Sequence, residues 1–176
     1  NSSDFFNKND IMLPNNLWHF NTEAPAETKQ FAFMIGKFVC NDSLLVGGQW
    51  VESKAAWEAH YILNGFGVRD VYRNNQYAGE SIRFYNSSKG KWDVYFFGML
   101  GEHTGLWEGE YIDGKMVMKQ ERTGPNGEKL LSQITFYNIT DDGFDWKGEL
   151  IHPDTGKTTV NWKIKAKWNG NKGNQH

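Results

Sequence analysis

Short turn dipeptides recur through most of the chain at the spacing of β-hairpins: Gly47-Gly48, Asn64-Gly65, Lys89-Gly90, Asp113-Gly114, Asn126-Gly127, Asp142-Gly143 and Thr155-Gly156. Gly, Asn and Asp accept the positive φ that tight two-residue turns demand, so each dipeptide predicts a reversal of the chain. The stretches between them are rich in Trp, Tyr, Phe, Val and Ile. No helical segment separates them, which excludes a parallel βαβ architecture. The expectation is an all-β, antiparallel fold of about ten strands, either a sandwich or an up-and-down barrel.

Alternation decides between the two. A two-residue turn at Asn64-Gly65 sets Leu63 against Phe66, Tyr61 against Val68, Ala59 against Asp70 and Trp57 against Tyr72. One face then carries Trp57, Tyr61, Leu63, Phe66, Val68 and Tyr72 with one acid, Asp70. The other carries Glu58, His60, Arg69 and Arg73. At Asp113-Gly114, Tyr111 opposes Met116, Gly109 opposes Met118 and Trp107 opposes Gln120, with a Glu108–Lys119 ion pair on the reverse face. Near the end, Phe144, Trp146, Gly148 and Leu150 match Trp162, Ile164, Ala166 and Trp168 if Leu150 faces Val160. Three hairpins thus each have one apolar and one charged face. One meandering sheet curled around a common core satisfies that pattern, and closing it removes the edges, so a barrel is expected.

Residues 25–34 (PAETKQFAFM) form the one helical candidate, with Pro25 at its start, Glu27 at its positive end and Gly36 at its exit. The expected organisation is an N-terminal arm over 1–24, pinned by Leu17, Trp18 and Phe20; one barrel domain over 25–170; and a tail over 171–176. At 176 residues the chain is long enough for one core without metal or disulfide support.

Composition removes several function classes. The balance of 19 basic against 21 acidic side chains gives no general attraction to nucleic acid. No apolar run approaches the ~20 residues of a spanning helix. A single cysteine, Cys40, rules out an internal disulfide. The histidines (His19, His60, His103, His152 and His176) lack metal-ligand spacing, so no metal is expected. There is no nucleophile elbow, phosphate loop or dinucleotide fingerprint, so no cofactor is expected. The polar start NSSDFFNKND, which resembles a stub left by processing, and the lone cysteine suit a secreted or periplasmic protein. N-x-S/T triplets stand at Asn1, Asn41, Asn86 and Asn138.

The segments FAFMIGKF, WEAHYILNGFGVRDVYR, SIRFYNSSKGKW, GLWEGEYIDGKMVMKQE and ITFYNITDDGFDWKGELIHPDTGKTTVNWKIKAKW follow in that order over residues 30–168. Within them stand Phe31, Phe33 and Gly36; Leu63, Gly65 and Asp70; Arg83 and Tyr85; and Asp142, Phe144 and Trp146. In this order and spacing the chain resembles an uncharacterised bacterial domain family of the lipocalin-like calycin group. The resemblance implies a barrel of about ten strands with a short helix closing one end. It implies no agreed activity. Calycin-like barrels include cofactor-free enzymes, so it leaves a catalytic reading open beside a binding one.

Asp70 is the most informative residue, because a carboxylate on an apolar face needs a partner. It is either a structural ion pair, with Arg83 as the natural partner, or a base or ligand anchor. His60 opposes Arg69 beside Glu58, either a solvated cluster or, if a bulge turns it inward, a pocket acid/base. His103 sits in a Gly-spaced loop. The catalytic candidates are therefore Asp70, His60, Tyr72 and His103. Substrate-binding candidates are Trp57, Tyr61, Arg83, Trp107, Gln120, Arg122, Tyr137 and Trp146; Tyr111 and Trp162 are expected to face inward with them. These rings either fill the barrel or wall a cavity.

Three functions follow. The first is a barrel, monomer or homodimer, that binds a small molecule: a carbohydrate fragment or small organic acid. The second is a cofactor-free lyase, dehydratase or isomerase acting on an acidic or unsaturated oligosaccharide, with Arg83 or Arg122 on the carboxylate. The third is an interaction domain with a filled barrel. Ligand-induced stabilisation separates the first two from the third, and a changed product separates the second from the first.

Overall fold

The computed structural model describes residues 19–101 and 105–170. Residues 1–18 of the arm expected over 1–24, with Leu17 and Trp18, the tail over 171–176 and His103 lie outside the described residues.

Among the described residues the chain forms ten antiparallel strands: β1 (Gly36–Val46), β2 (Gln49–Ile62), β3 (Gly67–Arg73), β4 (Ala78–Asn86), β5 (Lys91–Gly98), β6 (Gly105–Ile112), β7 (Lys115–Thr123), β8 (Lys129–Thr140), β9 (Gly143–His152) and β10 (Lys157–Trp168). Each pairs with the next. β1 pairs with β10 from Phe38↔Trp168 to Leu44↔Trp162, which closes the sheet into an up-and-down barrel. Closure satisfies the edge donors and acceptors that an open sheet would present.

The turn chemistry works as the sequence predicts. Asn64 and Gly65 have φ of 54° and 83°, and the Phe66 amide donates to the Leu63 carbonyl. Asp113 and Gly114 have φ of 50° and 75°. The register follows: Trp57↔Tyr72, Ala59↔Asp70 and His60↔Arg69 in the first hairpin, and Glu108↔Lys119 and Tyr111↔Met116 in the second.

Several expectations need correcting. The short helix expected after Pro25 is present but is of the 3-10 type, Ala26–Met34, and Gly36 opens β1 rather than ending it. Its buried residues, Thr28, Phe31 and Met34, recur every three positions, the period of a 3-10 turn. Leu63 and Phe66 are exposed, because they sit in the reversal beyond the last strand pair, Ile62↔Gly67. Tyr111 is exposed one step from its own turn. Tyr137 lies on the outer face. Its neighbour Phe136 fills the interior, since β8 presents its even-numbered residues inward at that point. Leu150 faces Thr159 rather than Val160, because a bulge between Val160 and Trp162 shifts the register. Glu108 does oppose Lys119, but its ion pair is with Lys89, at 3.4 Å.

The core is a mesh of rings. Phe31 from the 3-10 helix meets Trp92 edge-on at 4.7 Å between centroids, and Phe33 meets Phe144 at 5.3 Å. Trp57 touches Tyr72, Phe136 and Phe144. The helix therefore plugs one end of the barrel with aromatic side chains. Small residues, including Ala55, Ala59 and Ala166, give these rings room.

Gly143 shows how tightly the strands close. Its φ is 150°, and a Cβ there would stand 2.0 Å from the Ala166 carbonyl oxygen. Gly156 has φ of 70° but open space around it. Gly143→Ala is therefore expected to cost about 2–4 kcal/mol of unfolding free energy in urea, against about 1 kcal/mol for Gly156→Ala. Equal losses would contradict the steric account.

Candidate functional site

Asp70 faces the interior between Val68 and Tyr72 and is 2% exposed. Two donors meet it. The indole Nε1 of Trp57 donates to Oδ1 at 2.8 Å, and Arg83 Nη1 forms an ion pair with Oδ2. The register explains the meeting: Asp70 opposes Ser81, two residues before Arg83 on the same face of β4. Arg83 is as deeply buried as its partner, and its guanidinium carbon lies 4.9 Å from the Phe31 ring centroid. A buried charge of either sign would be costly alone, whereas the pair is neutral as a unit.

A second buried acid, Asp42, escaped the sequence reading. Trp162 Nε1 donates to its Oδ1 at 2.8 Å, and the Tyr72 hydroxyl donates to its Oδ2. The signal was present in β1, where Phe38, Cys40, Asp42 and Leu44 alternate with Lys37, Val39, Asn41 and Ser43. That is the same acid-on-an-apolar-face pattern that singled out Asp70. Burial, the Asp42 hydrogen bond and the Asp42 charge push the Tyr72 phenol well above its ordinary range. Tyr72 therefore stays protonated and donates at neutral pH.

Cys40 shares this interior. Burial, with the charge of Asp42, pushes its thiol up to about 12. It therefore stays a thiol at pH 8, and it is shielded from reagent. Ellman's reagent is expected to leave the folded protein unmodified at pH 8 and to titrate one thiol after unfolding in guanidinium. Rapid labelling of the folded state would show that the interior opens.

Beside these polar groups the barrel holds a cavity of about 390 Å³ that opens to solvent. Of the residues expected from sequence, Trp57, Asp70, Tyr72, Arg83, Trp107, Arg122 and Trp146 line it. Ser81, Phe96, Asn161 and Trp162 complete much of the wall. Asn161 reaches the wall at the bulge in β10, which alternation alone does not reveal. Gln120 is not on the wall. Its Oε1 accepts from Arg122 Nε at 3.1 Å and its Nε2 donates to the Leu106 carbonyl, so it positions Arg122. Tyr61 is buried elsewhere in the core, against Phe20.

His60 and Tyr137 stand on the outer face. His60 lies among Arg69, Glu58 and Glu80, and burial and then Arg69 lower its pKa. Arg69 itself pairs with Glu80 at 2.8 Å. Burial, then Asp145, raises the Tyr137 pKa. Among the described residues no group of three or more His, Cys, Asp or Glu is placed to hold a metal ion. Among them, too, no helix is long and apolar enough to cross a membrane.

The fold and site define a closed ten-stranded barrel with an aromatic-walled cavity lined in part by a buried Asp–Arg pair. No known family model matches the sequence, and no curated protein matches it significantly.

The ion pair yields a thermodynamic test. Arg83→Met leaves the Asp70 carboxylate with only the Trp57 indole, and Asp70→Leu strands the guanidinium. Each is expected to cost about 3–5 kcal/mol. The double variant should lose well under the sum, because no uncompensated charge remains. Additive losses in urea titrations would refute the coupling.

Proposed function

We propose that the protein is a lipocalin-like barrel, of the bacterial family that its sequence resembles, and that it binds a small ring-bearing molecule in the central cavity. A carbohydrate fragment and a small organic acid are the two ligand classes put forward, in a secreted or periplasmic setting. The observation that carries the reading is the cavity of about 390 Å³ walled by Trp57, Tyr72, Phe96, Trp107, Trp146 and Trp162. Its volume falls within the span of small-molecule sites, and flat apolar walls with a few fixed polar groups are how such sites hold a ring.

Binding is favoured over turnover by the protonation chemistry of the wall. Tyr72 holds its proton far above neutrality, which suits a donor rather than a base. The two lining carboxylates are engaged, Asp70 by Arg83 and Trp57 and Glu149 by Lys147. Among the described lining residues there is no histidine. A lyase or isomerase would need a group there that exchanges a proton near neutral pH.

The test is a ligand panel of small aromatic acids, cyclic carbonyl compounds and mono- and disaccharides. A binder should quench the tryptophan fluorescence and stabilise the fold by about 2.7 kcal/mol at a hundred times its Kd. The ligand should be recovered unchanged. Ile134→Trp, which adds bulk at the cavity wall, should abolish the effect while the protein stays folded. A panel without a single hit, or a hit unaffected by Ile134→Trp, would overturn the proposal. Recovery of an altered compound would move the protein to the enzyme reading.

A further inference from the structure

Three buried polar groups remain without a hydrogen-bond partner among the described residues: the Thr28 hydroxyl in the 3-10 helix, and two donors of residues that line the cavity, Trp107 Nε1 and Arg83 Nε. Trp107 is 8% exposed and Arg83 is 1% exposed. They belong to one cross-strand row. Arg83 on β4 faces Val94 on β5, and Val94 faces Trp107 on β6. Strand spacing places their backbones about 10 Å apart, with the short Val94 side chain between them. An unsatisfied buried N–H costs free energy that an acceptor of the right geometry recovers. Two such donors in one row therefore call for oxygen on whatever occupies the space over Val94.

The charge around the row decides which kind of oxygen. Arg83 is already neutralised by Asp70, and Glu149, which edges the cavity, is met by Lys147 at 2.8 Å; the other lining cation, Arg122, stands on β7 two residues beyond this row, its Nε donating to Gln120 Oε1. A carboxylate placed over Val94 would forfeit its hydration among rings, where the cation of its own row, Arg83, is already matched by Asp70. A carbonyl oxygen accepts the same hydrogen bonds without that cost. The rings on either side set the rest of the ligand's shape, because flat faces select flat partners.

Resting on the small-molecule reading above, we propose that the cavity selects flat, uncharged ring compounds bearing a carbonyl oxygen, and that the Trp107 indole N–H is the specificity-determining donor. Trp107→Phe keeps a ring at the position and removes the donor.

The experiment compares three bicyclic probes of similar size by calorimetry and thermal shift: chromone (neutral, with a carbonyl), naphthalene (no acceptor) and 2-naphthoate (charged). Chromone is expected to bind the wild-type protein about three- to tenfold more tightly than naphthalene, the worth of one net hydrogen bond. It should also bind more tightly than 2-naphthoate. In Trp107→Phe the preference of chromone over naphthalene should vanish, because chromone loses the donor as well as the ring surface that both probes lose. If chromone and naphthalene bind wild type equally, or 2-naphthoate binds tightest, the carbonyl assignment falls and the binding reading stands. The assignment falls in the same way if Trp107→Phe weakens chromone and naphthalene alike. If none of the three binds, the carbonyl assignment falls, and the binding reading falls with it only if the wider ligand panel also gives no hit. The wild-type ranking alone decides the matter should Trp107→Phe fail to fold.

Discussion

Carboxylates inside an aromatic interior must be given donors, and meeting that demand organises this barrel. Asp70 takes one donor from β2 and one from β4; Asp42 takes one from β3 and one from β10. The four donors are two indoles, a phenol and a guanidinium, and each also contributes apolar surface or a ring stem to the core. Polar satisfaction and ring packing are therefore carried by the same side chains. A substitution in either network disturbs both, which is why single changes here should cost more than their lost contact area.

Closure makes those networks possible. Asp42 reaches Trp162 across 120 residues of sequence because β1 and β10 are neighbours in the closed sheet. In an open meander the two strands would be opposite edges, and the Asp42 carboxylate would lose one of its two donors. The β1–β10 seam thus does more than hide strand edges. It brings the beginning and end of the barrel into one hydrogen-bonded pair, while the 3-10 helix seals the end where Phe31, Phe33 and Phe38 gather.

Most of the architecture was legible because hairpin registers are local. Asn64-Gly65 and Asp113-Gly114 fix their strand pairs through φ values that few other residues accept, and every cross-strand neighbour then follows. What was not legible depends on departures from strict alternation or on position along the barrel axis. The bulge at Asn161 leaves no clear mark in the sequence, yet it sets Leu150 against Thr159 and puts Asn161 on the cavity wall. Tyr137 and Phe136 are adjacent aromatics on β8, and composition cannot say which of the two looks inward. Leu63, Phe66 and Tyr111 have the right parity but lie too close to the strand ends to be covered. For the site, Asp70 and Arg83 could be named from one strand face. Asp42 required the same test on β1, where the acid stands between Cys40 and Leu44.

The cavity persists because its walls have little freedom to collapse. A ring fixed at one atom by a hydrogen bond and along its edge by a neighbour cannot swing into an adjoining space without breaking both contacts. Trp57 is held by Asp70 and packs edge-on against Tyr72 and Phe144; Trp162 is held by Asp42 and packs edge-on against Tyr72 and Trp146. The two acids therefore act through the indoles they anchor, keeping flat faces turned toward the same volume. A ligand entering such a space orders few side chains and so forfeits little of its interaction energy to conformational entropy. On this account the buried acids serve the cavity by positioning its walls, even where they do not touch what it holds.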